Sequence, residues 1–446
     1  MTVSISNSIV ASLMLASISV SANAATVAII DSGVDYKHEA LATFMWTNPN
    51  SSTTDADGTK YQNDKNGWNF AENNNQIIDH KYVGTFSKDC YRMVETQGKI
   101  LTGVATDEEK AWYKSKKEDQ EFVKEMGKFG NFIHGTHVSG ITADGSEAAD
   151  IVGVKLIPTE QPGAGVPMSY DKAGNPLISV FLGVIAKQQA KLLITVGKYT
   201  DAVKARTANG SFGTSVAAVK PVVSQLVAQF TGQEPTEAEL ESYSKEFVNS
   251  ILKESKAFPD SAKNTLFVFA SGNDGTNNDS LPVSPANIKL GNTITVAATL
   301  GGEKLATFSN YGATNVEVAA PGVVIRAAIP GDEYLSLSGT SMAAPFVTNV
   351  ATQIAEQNSS LTPAQIKKII MDTVDKKDWL NGKVSSGGIV NKMRAFKAAD
   401  LSLSMSLEDA ILASKENIKD VAYTKIANVE FDDSDVVVAP LPAFFQ

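Results

Sequence analysis

The feature that most constrains this chain is a set of short, wholly apolar, β-branched runs set far apart along it. Residues 26–30 (TVAII), 266–270 (LFVFA) and 293–297 (TITVA) are such runs, and residues 151–156 (IVGVKL) form a weaker one. A strand with one wet face alternates polar and apolar residues. A strand that is apolar on both sides must be covered on both, as in a parallel sheet between two layers of helices. Helical patterns lie between these runs. The expected fold class is therefore α/β, a doubly wound, mostly parallel sheet with helices on both faces.

Three stretches interrupt that plan and read as helical insertions. Residues 84–130 are highly charged, and Thr106 followed by Glu109 is a capping-box start. With Trp112, Phe122, Val123 and Met126 inside it, this segment reads as an exposed helix resting on the body. Residues 157–204 open with a Pro/Gly-rich loop and continue as a helical apolar pattern. Residues 214–262 hold two more helices, one opening near Thr236. Near the end, Thr362-Pro363 with Gln365 is another capped helix start.

A formal charge of −10 argues against a nucleic-acid partner, which needs a basic face, and suits a soluble surface equally well. The single cysteine, Cys90, excludes an intramolecular disulfide and reads as a spare thiol. Residues 1–24 contain no charged side chain. The apolar run 9–20 followed by Ala22-Asn23-Ala24 reads as a signal peptide cut after Ala24, although no Lys or Arg precedes Lys37. That run falls short of the roughly 20 residues a spanning helix needs. No other stretch reads as long enough, so the expected product is secreted or periplasmic, with no membrane association after cleavage.

Four motifs carry chemistry. Asp31-Ser-Gly33 follows directly on the first apolar run, where open α/β sheets build their sites; alone it is no more than an Asp capping a turn. His134-Gly-Thr-His137-Val-Ser-Gly140 holds two of the four histidines at i and i+3. They read either as a metal pair, lacking the usual spacing and a third ligand, or as a helix starting at His134 whose imidazole faces a cleft. In the second reading Gly135 and Thr136 allow close packing, and His137 supports. Gly339-Thr-Ser341-Met-Ala-Ala-Pro345 opens another helix, where first-turn N–H groups can hold an oxyanion or Ser341 can simply cap. Asn273, in Ala270-Ser-Gly-Asn-Asp-Gly275, ends the run LFVFA; it is either an amide donor or part of an ordinary turn.

In the order Asp, His, Asn, Ser, the blocks DSG, HGTHVSG, ASGNDG and GTSMAAP resemble the signature blocks of the subtilisin-like serine proteases. Ser211-Phe-Gly213, Phe308-Ser-Asn-Tyr-Gly312 and Val318-Ala-Ala-Pro-Gly322 resemble further blocks of that family. An α/β-hydrolase would show G-x-S-x-G and the order Ser, Asp, His, whereas Ser341 is followed by Met342-Ala343. The resemblance covers roughly residues 25–400, leaving the insertions at 84–130 and 157–262 unmatched and residues 401–446 as a C-terminal extension.

The resemblance implies a serine endopeptidase working through an acyl-enzyme. Ser341 would be the nucleophile, His134 the general base, Asp31 its orienting carboxylate, and Asn273 the oxyanion-hole side chain. It implies protein or peptide substrates, with Ser211, Phe212 and Gly213 as the edge strand that pairs with the substrate backbone. Ala270, Ser271 and Gly272 would be the small, uncharged wall of a pocket that favours a large apolar side chain. No cofactor is required for the chemistry, while structural calcium is possible; Asp55-Ala-Asp57-Gly58 is a tempting fragment that reads more simply as a solvated acidic turn. The family's usual pro-domain has no room between Ala24 and Asp31. Two rival readings are a pseudoprotease that binds peptides without cutting them and a surface protein that uses the fold as a scaffold.

Overall fold

The computed structural model describes residues 24–50, 60–146, 149–160 and 176–423. In chain order its strands are β1 (Thr26–Asp31), β2 (Gly67–Asn69), β3 (Asp150–Lys155), β4 (Thr207–Gly210), β5 (Thr214–Ser215), β6 (Leu266–Ala270) and β7 (Val283–Ser284). They continue with β8 (Thr293–Leu300), β9 (Lys304–Leu305), β10 (Val318–Pro321), β11 (Ile325–Ile329), β12 (Glu333–Leu337), β13 (Asp375–Lys376) and β14 (Gly388–Ile389). The main sheet runs β13-β14-β10-β8-β6-β4-β1-β3-β2, with β9 paired to β8. Its pairings are parallel except β13 with β14 and β8 with β9. The fold class is the expected one, and each of the four apolar runs is a strand in it. Strand β4, with the sequence TANG, lies at the centre of the sheet and was not foreseen.

The helices are α1 (Lys88–Leu101), α2 (Asp107–Glu118), α3 (Gln120–Ala143), α4 (Pro176–Ala202), α5 (Val216–Thr231) and α6 (Glu237–Ser255). They continue with α7 (Ala257–Asp260), α8 (Thr340–Gln357), α9 (Pro363–Asp372), α10 (Lys392–Leu401) and α11 (Leu407–Asn417). Alternation along β1 shows how the layers form. Val27 and Ile29 pack with Val138 and Ile141 of α3, whereas Ala28 and Ile30 pack with Leu193 and Val196 of α4. Both faces of the strand are therefore buried, as its unbroken apolar run requires. The capping boxes at Thr106, Thr236 and Thr362 are all formed.

Two expectations are corrected here. The first charged insertion is three helices rather than one, packed around Cys90, Met93, Tyr113, Phe122, Phe129 and Phe132 in a cluster shared with Ile78 and with Ile329 and Leu335 of the β11–β12 hairpin. Its last helix does not stop before His134. Asp119 caps α3, accepting from the backbone N–H groups of Glu121 and Phe122, and the helix runs unbroken through both histidines. No proline stands between Phe122 and His134, and the apolar periodicity through Phe129, Phe132 and Ile133 carries the helix past Gly127 and Gly130. The second correction concerns membrane spans. Among the described residues, 178–202 of α4 are long and apolar enough to cross a membrane, with 44% of that window buried. The first part of α4 joins α5 and α6 in a separate apolar lobe around Phe181, Val223, Phe247 and Ile251. Its second half packs on the sheet.

Candidate active site

Strand order turns at β1, with β3 and β2 on one side and β4, β6 and β8 on the other. Such a switch opens a crevice beyond the C-terminal ends of the strands. Asp31 closes β1 there and is fully buried. Its Oδ1 accepts from the Ser32 N–H at 2.7 Å and from His134 Nδ1 at 2.6 Å. Facing a carboxylate, Nδ1 carries the proton, so Nε2 presents a lone pair. The approach of α3 depends on glycine. A methyl on Gly135 would stand 2.2 Å from the Gly33 carbonyl oxygen, and Gly33 itself has φ +124°. Thr136 Oγ1 accepts the Asp35 N–H at 2.9 Å, fixing the same contact.

His137 is held differently. Its Nε2 lies 3.0 Å from the carbonyl oxygens of both Ile325 and Leu335, so it must be the protonated nitrogen. Burial pushes the imidazole down to about 3, with the two carbonyl bonds opposing that shift and the neighbouring His134 adding to it. His137 is therefore neutral across the physiological range and joins α3 to the β11–β12 hairpin. Among the described residues no group of three or more His, Cys, Asp or Glu could hold a metal, so the i, i+3 histidines have no metal site to complete. The Asp55–Asp57 fragment lies outside the described residues, and no calcium position emerges from those that are described.

Ser341 is the second residue of α8, after the N-cap Gly339. Its Oγ donates to the Ser211 carbonyl oxygen at 3.4 Å, and Ser211 Oγ donates back to the Ser341 carbonyl oxygen at 3.0 Å. Asn273 lies three residues past β6. Its Oδ1 accepts from Thr340 N–H at 2.9 Å and Thr340 Oγ1 at 2.8 Å, which sets which way the amide faces. A methyl built on Gly339 would lie 3.4 Å from Asn273 Nδ2 and 3.6 Å from the Ser341 backbone nitrogen. Two N–H donors thus border one small space beside the serine. The helices bearing His134 and Ser341 are also tied together, because Asn349 Nδ2 donates to the carbonyl oxygens of Thr142 and Asp144 at the end of α3.

Ser211, Phe212 and Gly213 run on from the C-terminal end of β4, and all three are buried. Strand β4 is interior to the sheet, between β1 and β6, and this segment lies past its last paired residue, Gly210. Ala270 ends the neighbouring strand β6 and Ser271 and Gly272 follow it, all three buried, with Ser271 Oγ donating to the Asn310 carbonyl oxygen at 3.0 Å. A cavity of about 120 Å³ reaches Asp274, the residue after Asn273, and is also lined by Ser215, Ala217 and Leu281. Burial pushes the Asp274 carboxyl up against the opposing hydrogen bonds from Asn310 and Ser215. None of Ala270, Ser271 or Gly272 lines that cavity. A cavity of about 800 Å³ lies elsewhere, against Asn63, Asn66, Gln76 and His80, and none of Asp31, His134, Asn273 or Ser341 lines it.

Sequence reasoning gave no role to several residues that hold these groups. Thr340 orients Asn273 and accepts the Gly272 N–H at 3.2 Å. Asn310 Oδ1 accepts from the N–H groups of Asp274 and Thr276, shaping the loop after β6. Lys155, in register with Asp31, is fully buried and paired with Asp79 at 2.5 Å. Thr340 and Asn310 both sit inside blocks already noted for their resemblance, which was the signal available.

The family model described as "Subtilase family" matches residues 22–388. Alkaline elastase YaB of Bacillus sp. (strain YaB) is 39% identical over 112 residues, 25% of this chain and 28% of that protein. Subtilisin BL of Lederbergia lenta is 35% identical over 130 residues, covering 29% and 45%. Alkaline serine exoprotease A of Vibrio alginolyticus is 38% identical over 128 residues, covering 28% and 22%. The matched stretches thus span less than half the length of these relatives. Among solved structures, a cold adapted subtilisin-like serine proteinase aligns with a TM-score of 0.43 at 19% identity, over 83% of this chain and 88% of that one.

Proposed function

This chain belongs to the subtilase family, and we propose that it is a serine endopeptidase that cuts peptide bonds through a Ser341 acyl-enzyme. The observation that carries the reading is the 2.6 Å contact between His134 Nδ1 and Asp31 Oδ1. It joins residues 103 apart in sequence at the C-terminal edge of the sheet and leaves Nε2 as a base. Ser341 Oγ attacks the peptide carbonyl, and His134 takes its proton and returns it to the leaving amine. Asp31 keeps the imidazole in that tautomer and stabilises the imidazolium. Asn273 Nδ2 and the Ser341 N–H stabilise the oxyanion, a donor of this kind being worth about 3–4 kcal/mol of barrier. No step requires a cofactor.

Protein or peptide substrates follow from this chemistry, as does a preference for a large apolar side chain against the wall at Ala270, Ser271 and Gly272. A catalytic domain over residues 25–400, a leader ending at Ala24 and a secreted or periplasmic location complete the reading; residues 1–23 lie outside the described structure. The test is covalent trapping. A fluorophosphonate should label Ser341, identified by mass spectrometry, and abolish cleavage of casein and chromogenic peptides. Ser341→Ala should take up no label and retain the wild-type melting temperature. Normal cleavage by Ser341→Ala would refute the reading, and peptide binding without labelling or cleavage would favour the pseudoprotease.

A further inference from the structure

A buried polar chain runs into the sheet behind Ser341. Asn209 is fully buried at the centre of β4, a position flanked by β1 and β6 where an apolar side chain would ordinarily stand. Its Nδ2 donates to Ser211 Oγ at 2.9 Å. Ser211 Oγ donates in turn to the Ser341 carbonyl oxygen at 3.0 Å, while Ser341 Oγ returns to the Ser211 carbonyl. On the other side of the amide, Thr348 Oγ1 of α8 is 3.0 Å from Asn209 Oδ1 and 3.1 Å from the Ala344 carbonyl oxygen, so its hydrogen is shared.

Resting on the peptidase reading above, we propose that Asn209 is a positioning residue for the Ser341 nucleophile and acts through Ser211. The reason is the direction of the hydrogen bonds. A hydroxyl has one hydrogen. Once the Asn209 amide occupies a lone pair on Ser211 Oγ, the Ser211 hydrogen is directed to the Ser341 carbonyl. Thr348, donating to Oδ1, keeps the Asn209 amide from flipping and reversing that order. Ser341 is thereby pinned through its carbonyl, on a helix whose position fixes where the nucleophile points, while its own hydroxyl hydrogen, resting on the Ser211 carbonyl, must turn to His134 for reaction. A buried amide in this interior costs stability unless it is bonded, and here its bonds fix one geometry.

A generic loss of buried polarity must be separated from this specific relay. Thr207 and Thr352 supply the control, because their hydroxyls pair at 2.6 Å across the same strand–helix interface without leading to Ser341. The experiment measures kcat, KM, fluorophosphonate labelling rate and melting temperature for wild type, Ser211→Ala, Asn209→Leu, their double variant, and Thr207→Val/Thr352→Val. The single variants should each lower kcat and labelling about tenfold or more with KM within about twofold, as a misplaced reacting group does. The double variant should be no worse than Ser211→Ala, since Asn209 has nothing to act through once the hydroxyl is gone. The threonine pair should change the melting temperature and not kcat. Should Asn209→Leu fail to fold, the isosteric Asn209→Asp, an acceptor that turns the Ser211 hydrogen away from Ser341, should show the same dependence on Ser211.

Losses that multiply in the double variant, or an unchanged kcat in Asn209→Leu or Asn209→Asp, would overturn the proposal while labelling of wild-type Ser341 stands. A wild type that is neither labelled nor active would instead remove the peptidase reading, and this proposal with it.

Discussion

The lobe formed by α4, α5 and α6 and the seam between β4 and α8 are both buried, yet they are built from different materials. The lobe is held by apolar packing, with Phe181, Leu182, Val219, Val223, Phe247 and Ile251 packed on one another. The seam that leads to Ser341 buries Asn209, Ser211 and Thr348, which bond along it. Apolar packing rewards area removed from water and tolerates many arrangements. A bonded polar seam gains less per residue and admits few arrangements. Ser341 stands at the end of the seam, so the region that must hold atoms to a fraction of an ångström is the polar one. Replacing residues in the lobe should cost stability, and replacing them at the site should cost rate.

The largest expected effect falls on rate. His134→Ala should lower kcat by about 10⁴-fold or more, leaving the melting temperature within a few degrees of wild type. In wild type, activity should fall on the acid side as the base is protonated. His137→Asn should keep that acid limb, because His137 is already neutral through the range. If the limb vanished in His137→Asn and survived in His134→Asn, the two roles would have to be exchanged.

A second polar seam offers a test by deletion. The Arg394 guanidinium bonds Asp375, Asp420 and the Ile418 carbonyl, while Val421 N–H donates to Asp375 Oδ2. Residues of α11 are buried against the body as well, Ala410 and Ile411 among them. Ending the chain at Asp400 keeps the Arg394–Asp375 pair but removes Ile418, Asp420 and Val421 and uncovers apolar surface, at an expected cost of about 3–5 kcal/mol. Ending it at Tyr423 removes the acidic run at Asp432 and the apolar end, both outside the described residues, and keeps every contact named here. Denaturant melts of the two truncations should therefore differ. Equal melts would show that the seam holds nothing.

Within the lobe, Phe247→Ala should cost about 3–5 kcal/mol by cavity formation. Below its lowered melting temperature, the variant should still turn over peptide with kcat within about threefold of wild type. A collapse of kcat in folded Phe247→Ala would mean that the lobe shapes the site directly, and the contrast drawn above would fail.

The same contrast explains what could be read from sequence. Strands β1, β6 and β8 declare themselves because each is apolar on both faces. Strand β4 does not: TANG has the composition of a turn, with Asn-Gly its strongest turn signal. Its strand state is imposed by β1 and β6 on either side, and Asn209 is where local preference yields to the fold. The motif residues were legible because their types and order are specific. Their supports were not, since a Thr340 or an Asn310 acquires meaning only once a loop distant in sequence is folded against it. The start of α3 was misjudged for the opposite reason. The motif suggests a helix that begins at His134, whereas the helical pattern through Phe122 and Met126 runs on into it without a break.

The smallest effect expected is on the pH dependence of stability, and it concerns the buried histidine. Folded His137 titrates at about 3, whereas an unfolded histidine takes its proton near 6.5. Between those values the unfolded chain binds a proton that the native one refuses. Stability must therefore fall as the pH drops through this window, and the slope from one such group approaches about 1.4 kcal/mol per pH unit. Above about 6.5 both states are neutral and the contribution is flat. His137→Asn keeps an N–H donor for the Ile325 or Leu335 carbonyl and cannot titrate, so its stability should be lower overall but less steep between pH 4 and 6. Urea melts at half-unit steps should show wild type taking up about one more proton on unfolding than the variant. Parallel slopes would mean that His137 is charged in the folded protein. The burial that separates it from His134 would then be wrong, and the assignment of the base would lose one of its supports.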